Sequence, residues 1–224
     1  MSQAPLVPAP LYGLRTWAVV GESGAERLAG PHQGATWPAG GEWLEATCST
    51  TAAHDPPSVG CDCGLHAWHP SPRSARRVLR RRGDIAGIAE ARGAVELHVD
   101  GFRAERARPY ALVLAPGANA GLVRRLAETY GAQVVEARDA EAVLAFCRSR
   151  GLGLDESTVA RLMGPEAVED WRGAKRAGAR RSLVRLAGAL TVAALLLLAG
   201  LQLTDPPGDR GLYGRTGEVN TQSR

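Results

Sequence analysis

The stretch "CSTTAAHDPPSVGCDCGLHAWH", from Cys48 to His69, holds three of the chain's four cysteines. Cys48, His54, Cys61 and Cys63 stand in the pattern C-x5-H-x6-C-x-C. Three thiolates and one imidazole make a complete tetrahedral zinc set of the closed, structural kind. Cys61 and Cys63, one residue apart, are poorly placed to bond to each other without strain. A disulfide framework therefore needs another pairing and an oxidising compartment. Gly60 and Gly64 bracket the C-x-C pair and allow the positive φ of a tight turn. Pro56 and Pro57 stiffen the loop and lower the entropy lost on closing it. His66 and His69 stand as rival ligands to His54. The competing reading is a loop of inert thiols, but few large apolar residues surround these three. Cys147, in "AEAVLAFCRSR", reads as a core thiol on a helix.

Other chemistry is sparse. "GESG" does not centre its serine in a nucleophile elbow. "GLGLDES" has no lysine of a phosphate loop, and no G-x-G-x-x-G occurs. His98, Asp100, Arg103 and Glu105 cluster on one segment. Alternation sends His98 and Asp100 to the face opposite Val95, Leu97 and Val99. That face could take a small anion through Arg103, with Arg15 joining it; a solvated face with local ion pairs is the plainer reading. No catalytic residue is assigned.

The compartment of the thiols depends on a second stretch. Residues 186–203, "LAGALTVAALLLLAGLQL", carry no charge. Eighteen residues at about 1.5 Å each span roughly 27 Å, close to a bilayer's hydrocarbon thickness. Arg172, Lys175, Arg176, Arg180, Arg181 and Arg185 precede it. The flank after it mixes arginines with Asp205, Asp209 and Glu218. Basic flanks favour the cytoplasmic side. The expectation is an inner-membrane, single-pass, tail-anchored protein with a cytoplasmic N-terminal domain, whose thiols face a reducing compartment. "MSQAPLVPAP" has neither the charged nor the apolar region of a signal peptide. The bilayer is one partner; a protein at the cytosolic membrane face is expected as another.

Of 27 basic residues only Lys175 is lysine, and the net charge is +4. Arginine enrichment beside Ala and Gly reflects a GC-rich genome, so it does not by itself indicate nucleic acid. "RSARRVLRRRGD" has six arginines between Arg73 and Arg82. Without interleaved aromatics it lacks a base-stacking platform. It reads as an exposed connection, with anionic lipid or an acidic partner second and nucleic acid last.

The elements that would position these residues are of two kinds. Residues 1–10 read as a disordered arm. "LYGLRTWAVV" and "EWLEATC" read as strands. Val95, Leu97 and Val99 alternate, and Arg92-Gly93 and Asp100-Gly101 punctuate three short strands, Asp-Gly being a hairpin signal. Residues 11–116 are thus a β-rich domain, a small antiparallel meander or partly open barrel carrying the zinc loop. Four of five tryptophans lie in the first third, which predicts a core there. Residues 117–165 add helix–strand–helix. Asn119 caps a helix whose Leu122, Val123, Leu126, Ala127 and Tyr130 share a face, and Gly131 ends it. "AQVVEA" is a strand, Asp139 caps the next helix, and Ser157 opens another. Residues 166–185 form a basic juxtamembrane helix, 186–203 the transmembrane helix and 204–224 a short extracytoplasmic tail. The class is α+β.

Over Leu11 to Pro116 the chain resembles a module of GC-rich bacteria. The likeness is carried by Gly13-Leu14-Arg15-x-Trp17, Cys48, His54, "CDCGLHA" and "GFRAERARP". That module has no established activity, so the resemblance implies a shared fold and the metal site, and no chemistry. Two functions follow from the sequence. The first is a membrane-anchored cytosolic interaction module stabilised by structural zinc. The alternative is an enzyme or sensor binding a small anionic ligand on the His98/Arg103/Glu105 face.

Overall fold

The computed structural model describes residues 4–30, 35–49, 54–80, 84–169 and 172. They form a mixed α+β fold around an antiparallel-rich sheet. Its centre is a long hairpin of β5 (Ile85–Leu97) and β6 (Gly101–Leu114), paired from Gly87↔Leu112 to Leu97↔Phe102.

Two strands thus replace the three short ones expected from the glycine punctuation. Gly93, at φ 85°, does not turn the chain. It sits in a register slip between Arg92 and Val95, a bulge whose freed Ala94 N–H donates to Glu105 Oε2 at 2.8 Å. The reversal falls at His98–Asp100, where the His98 N–H donates to Gly101 O at 2.8 Å. Gly101 itself is extended. A Cβ there would lie 2.1 Å from Ala67 O, so the glycine serves close strand approach and not turn geometry.

Strand β1 (Leu6–Val20) pairs with β5 from Leu6↔Ala94 to Trp17↔Ile85. It begins inside the segment expected to be a disordered arm. Val7 is buried against the core, and the Val95 N–H donates to Pro5 O at 2.9 Å. The prolines are accommodated by a slip between Val7 and Leu11, where a missing N–H breaks no continuous ladder. The far end of β1 pairs with β2 (Arg27–Ala29).

The second edge of β6 is shared end to end by three short strands. β4 (Leu65–Trp68) takes residues 101–104, β3 (Leu44–Glu45) takes 106–107, and β7 (Gln133–Glu136) runs parallel to 111–114. β4 also meets β1 at one pair, Leu14↔Trp68. The pairings β1–β5–β6–β4–β1 therefore close a ring.

Helices cover both faces of the sheet. α2 (Ala120–Tyr130) has Asn119 as its N-cap and ends at Gly131, which is left-handed at φ 60°. Its Val123, Leu126, Ala127 and Tyr130 are buried in a cluster with Trp17, Leu28 and Trp37. The Tyr130 hydroxyl accepts from Leu28 N–H at 2.8 Å and donates to Trp37 O at 3.2 Å. α3 (Ala140–Ser149), capped by Asp139, packs Val143, Leu144 and Cys147 against Leu14, Ile88 and Val113. α4 (Glu156–Met163) follows, capped by Asp155.

The arginine run is not a plain connection. Residues Pro72–Leu79 are helix α1, with Ser71 as N-cap in a reciprocal pair with Ser74 and Pro72 in the first turn. Ala75 and Val78 are fully buried, while Arg73, Arg76 and Arg77 point to solvent. Two small apolar residues among arginines are enough once α3 and the sheet supply the rest of the core.

Among the described residues no helix is long and apolar enough to cross a membrane. Residues 186–203, the expected span, lie outside the described residues, as do 1–3 of the expected arm, the 204–224 tail, and Lys175, Arg176, Arg180, Arg181 and Arg185.

Candidate metal centre

The edge of β6 brings the cysteines together. β3 ends opposite Arg106, and β4 begins opposite Ala104, so the end of one short strand abuts the start of the next. Ala46 continues the ladder, its N–H donating to Glu105 O at 2.7 Å. Cys48 thus leaves β3 where Cys63 enters β4. Between them the loop turns at 58–61, with Cys61 N–H donating to Ser58 O at 3.0 Å, and the Pro56–Pro57 peptide is cis. Gly60 and Gly64 have φ of 86° and 114°, the positive values expected around the C-x-C pair. A Cβ on Gly64 would also press on Arg103 and Pro57.

Cys48, His54, Cys61 and Cys63 present ligand atoms that all lie within 4.8 Å of one another and could hold a metal ion. Cys48 Sγ and Cys61 Sγ are 3.7 Å apart, and His54 Nε2 lies 3.2 Å from Cys63 Sγ. The sulfur separation is far beyond a disulfide bond, and none of the four cysteines is in a disulfide. It fits the edge of a tetrahedron with metal–sulfur bonds of ~2.3 Å, which is about 3.8 Å. All four residues are partly buried. Burial pushes the Cys63 thiol up; a hydrogen bond from the Ser58 backbone opposes this, and the Cys61 and Cys48 sulfurs add to the rise. Crowded thiols resist ionising together, and a bound cation removes that resistance.

His66 and His69 are placed elsewhere. His66 Nε2 is 3.1 Å from Asp62 O, and His69 Nε2 is 2.9 Å from His98 O. Burial lowers the His66 pKa, an effect the Asp62 carbonyl opposes. His54 is therefore the imidazole of the cluster. Cys147 lies apart, 2% exposed, its thiol pushed up to about 11 by burial.

Arg103 ties the loop to the sheet. It is 5% exposed, pairs with Glu96, donates to His98 Nε2 at 3.2 Å, and donates to Cys63 O at 3.3 Å. A guanidinium so occupied is a strut and is not open to an incoming anion. Glu105, expected on the same face, is spent on the Gly93 bulge and on Arg106 at 3.3 Å. Arg15 lies on the other face of the sheet, over the Trp37 ring at 4.9 Å, donating to His66 O. Arg15, His98 and Arg103 nevertheless line one groove around His66, while Glu105 does not.

Sequence reasoning passed over a second buried charge. Glu90, 2% exposed, is held by Arg108 at 2.8 Å and Arg92 at 3.1 Å, and both arginines stack on Trp43. The alternation of Glu90 and Arg92 on β5 and of Arg108 and Tyr110 on β6 is its only trace in the sequence.

Arg172 is turned toward the domain. It pairs with Glu156 at 2.8 Å and with Glu169, and these carboxylates raise its pKa. No family model, no curated protein and no solved structure matches this chain.

Proposed function

We propose that the chain is an interaction module stabilised by a structural zinc ion and tethered to the cytoplasmic face of an inner membrane by residues 186–203. The observation that carries the metal half is the closed donor set of Cys48, His54, Cys61 and Cys63. Three sulfurs and one imidazole nitrogen suit zinc better than a hard cation, which prefers oxygen donors. Four protein ligands leave no position for water or substrate, so the role is structural. The ion's contribution is to neutralise the thiolates and join β3 to β4. On this reading the ring of β1, β5, β6 and β4 is a partly open barrel whose open side the metal loop braces. The tether rests on the uncharged run and its basic approach.

The alternative, an enzyme or sensor with an anion on the His98/Arg103/Glu105 face, has less support, because Glu96 already neutralises Arg103. The test is metal analysis of the full chain purified in mild detergent, together with protease accessibility in sealed membrane vesicles of known orientation. One zinc per chain, and digestion of the N-terminal domain only when the cytoplasmic face is exposed, support the reading. Absence of metal, or an N-terminal domain on the opposite side, overturns it. Affinity capture from the same preparation identifies the partner.

A further inference from the structure

Arg15 is a cation with no counter-ion among the described residues. No carboxylate among the described residues pairs with it, and its Nε–H is buried without an acceptor. Among the described residues its one hydrogen-bond partner is the His66 carbonyl, and its plane lies over Trp37. Burial alone pulls its pKa down to about 10. Arg15 is half-buried, so part of the cost of drawing its charge out of water is left uncompensated.

Arg15 lines a groove of about 700 Å³ where β1 parts from β4 beyond their single pair at Leu14↔Trp68. That volume is in the range of small-molecule sites. Leu44, Leu65, Ala67 and Phe102 give the groove apolar walls. Its remaining charges select against polyanions. Glu45, Asp62 and Asp100 also line it, and Arg103, the other cation, is neutralised by Glu96. One uncompensated guanidinium beside apolar walls and acids matches a single negative charge on a small apolar body.

We propose that this groove binds a monocarboxylate, its carboxylate pairing with Arg15 and its short aliphatic part lying against Leu65 and Phe102. A free carboxylic acid and the C-terminal carboxylate of a peptide share this chemistry. The assignment does not rest on the metal reading.

The test uses the full chain in detergent, with tryptophan fluorescence as the readout because Trp37 lies beneath Arg15. Butyrate and N-acetyl-Ala-Ala are titrated against their uncharged amides and against inorganic phosphate. Saturable binding of at least one carboxylate is expected, with its amide weaker by about tenfold or more and phosphate without effect. The stronger of the two carboxylates identifies the source, and either supports the site. Arg15→Lys keeps the charge but loses the planar fork and should bind about tenfold more weakly. Arg15→Met should abolish the preference for acid over amide and raise the melting temperature of the unliganded chain by about 2–4 °C. Equal response to acid and amide, phosphate binding as tightly as the carboxylates, unchanged affinity in either variant, or a lower melting temperature in Arg15→Met overturns the proposal.

Discussion

Arg103 and Glu96 are direct cross-strand partners on the β5–β6 hairpin, and the same guanidinium reaches the carbonyl of Cys63. One side chain therefore joins the centre of the sheet to the metal loop. Glu96 keeps 19% of its side chain exposed against 6% for Arg103, so the pair is only partly desolvated. Arg103→Ala should cost about 3 kcal/mol, near the lower end for a broken buried pair. Urea denaturation checks this. The same variant should release bound metal to a chelator faster than the wild type, because Cys63 loses its tie to β6.

Removing the ligands has a larger reach. His54→Ala or Cys63→Ser should abolish stoichiometric metal and lower stability by more than about 3 kcal/mol, since the energy of binding a structural ion is folding energy. Elemental analysis and thermal unfolding, with and without chelator, provide the check. Cys147→Ala should leave metal content unchanged, and an equal loss there would remove the distinction between the cluster and the core thiol.

Tyr130 predicts the alkaline limit of stability. Burial raises its phenol above the ordinary 10.0, with the Leu28 hydrogen bond and Arg27 opposing. The unfolded chain then ionises first. The stabilisation is whole below pH 10.0 and is lost as pH rises through the folded value. Tyr130→Phe should flatten that loss while costing about 1–3 kcal/mol at neutral pH, because Leu28 N–H and Trp37 O lose their partner. Tyr12, raised by burial and then by Glu90, leaves a residual slope. Urea midpoints measured from pH 8 upward provide the comparison.

Gly101→Ala tests the close approach of β4 to β6. The new Cβ would meet Ala67 O at 2.1 Å and Trp68 Cα at 2.9 Å, both backbone atoms that cannot swing aside. The cost should be about 1–3 kcal/mol. Metal affinity should fall with it, because β4 follows directly on the C-x-C pair. Stability lost with affinity intact would mean that the loop is held independently of β4.

The helical part of the fold was readable because its signals are local. Asn119, Asp139 and Gly131 act where the chain expects them, and Val123, Leu126, Ala127 and Tyr130 share the face their spacing implies. The four metal-site residues were readable from type and spacing, and the sheet edge brings them together. The short strands β2 and β4 were not, because three or four residues cannot display an alternation. Their place is set by the long strands they pair with. α1 was hidden for a related reason: its core face is Ala75 and Val78, small beside the arginines that surround them. Asp100-Gly101 marked the β5–β6 reversal, but its glycine is extended and serves strand packing, a demand no local pattern reveals. The solitary state of Arg15 was equally invisible, since partners and their absence belong to tertiary structure.

The way three short strands share one edge of β6 also orders events at synthesis. A chain leaves the ribosome N-terminus first. Cys48, His54, Cys61 and Cys63 are synthesised before residues 101–107, the template that aligns β3 with β4. For that interval the thiols are exposed on an unsupported polypeptide, vulnerable to oxidation or mispairing. On the proposed metal reading, loading the ion and zipping the hairpin are steps of one maturation event.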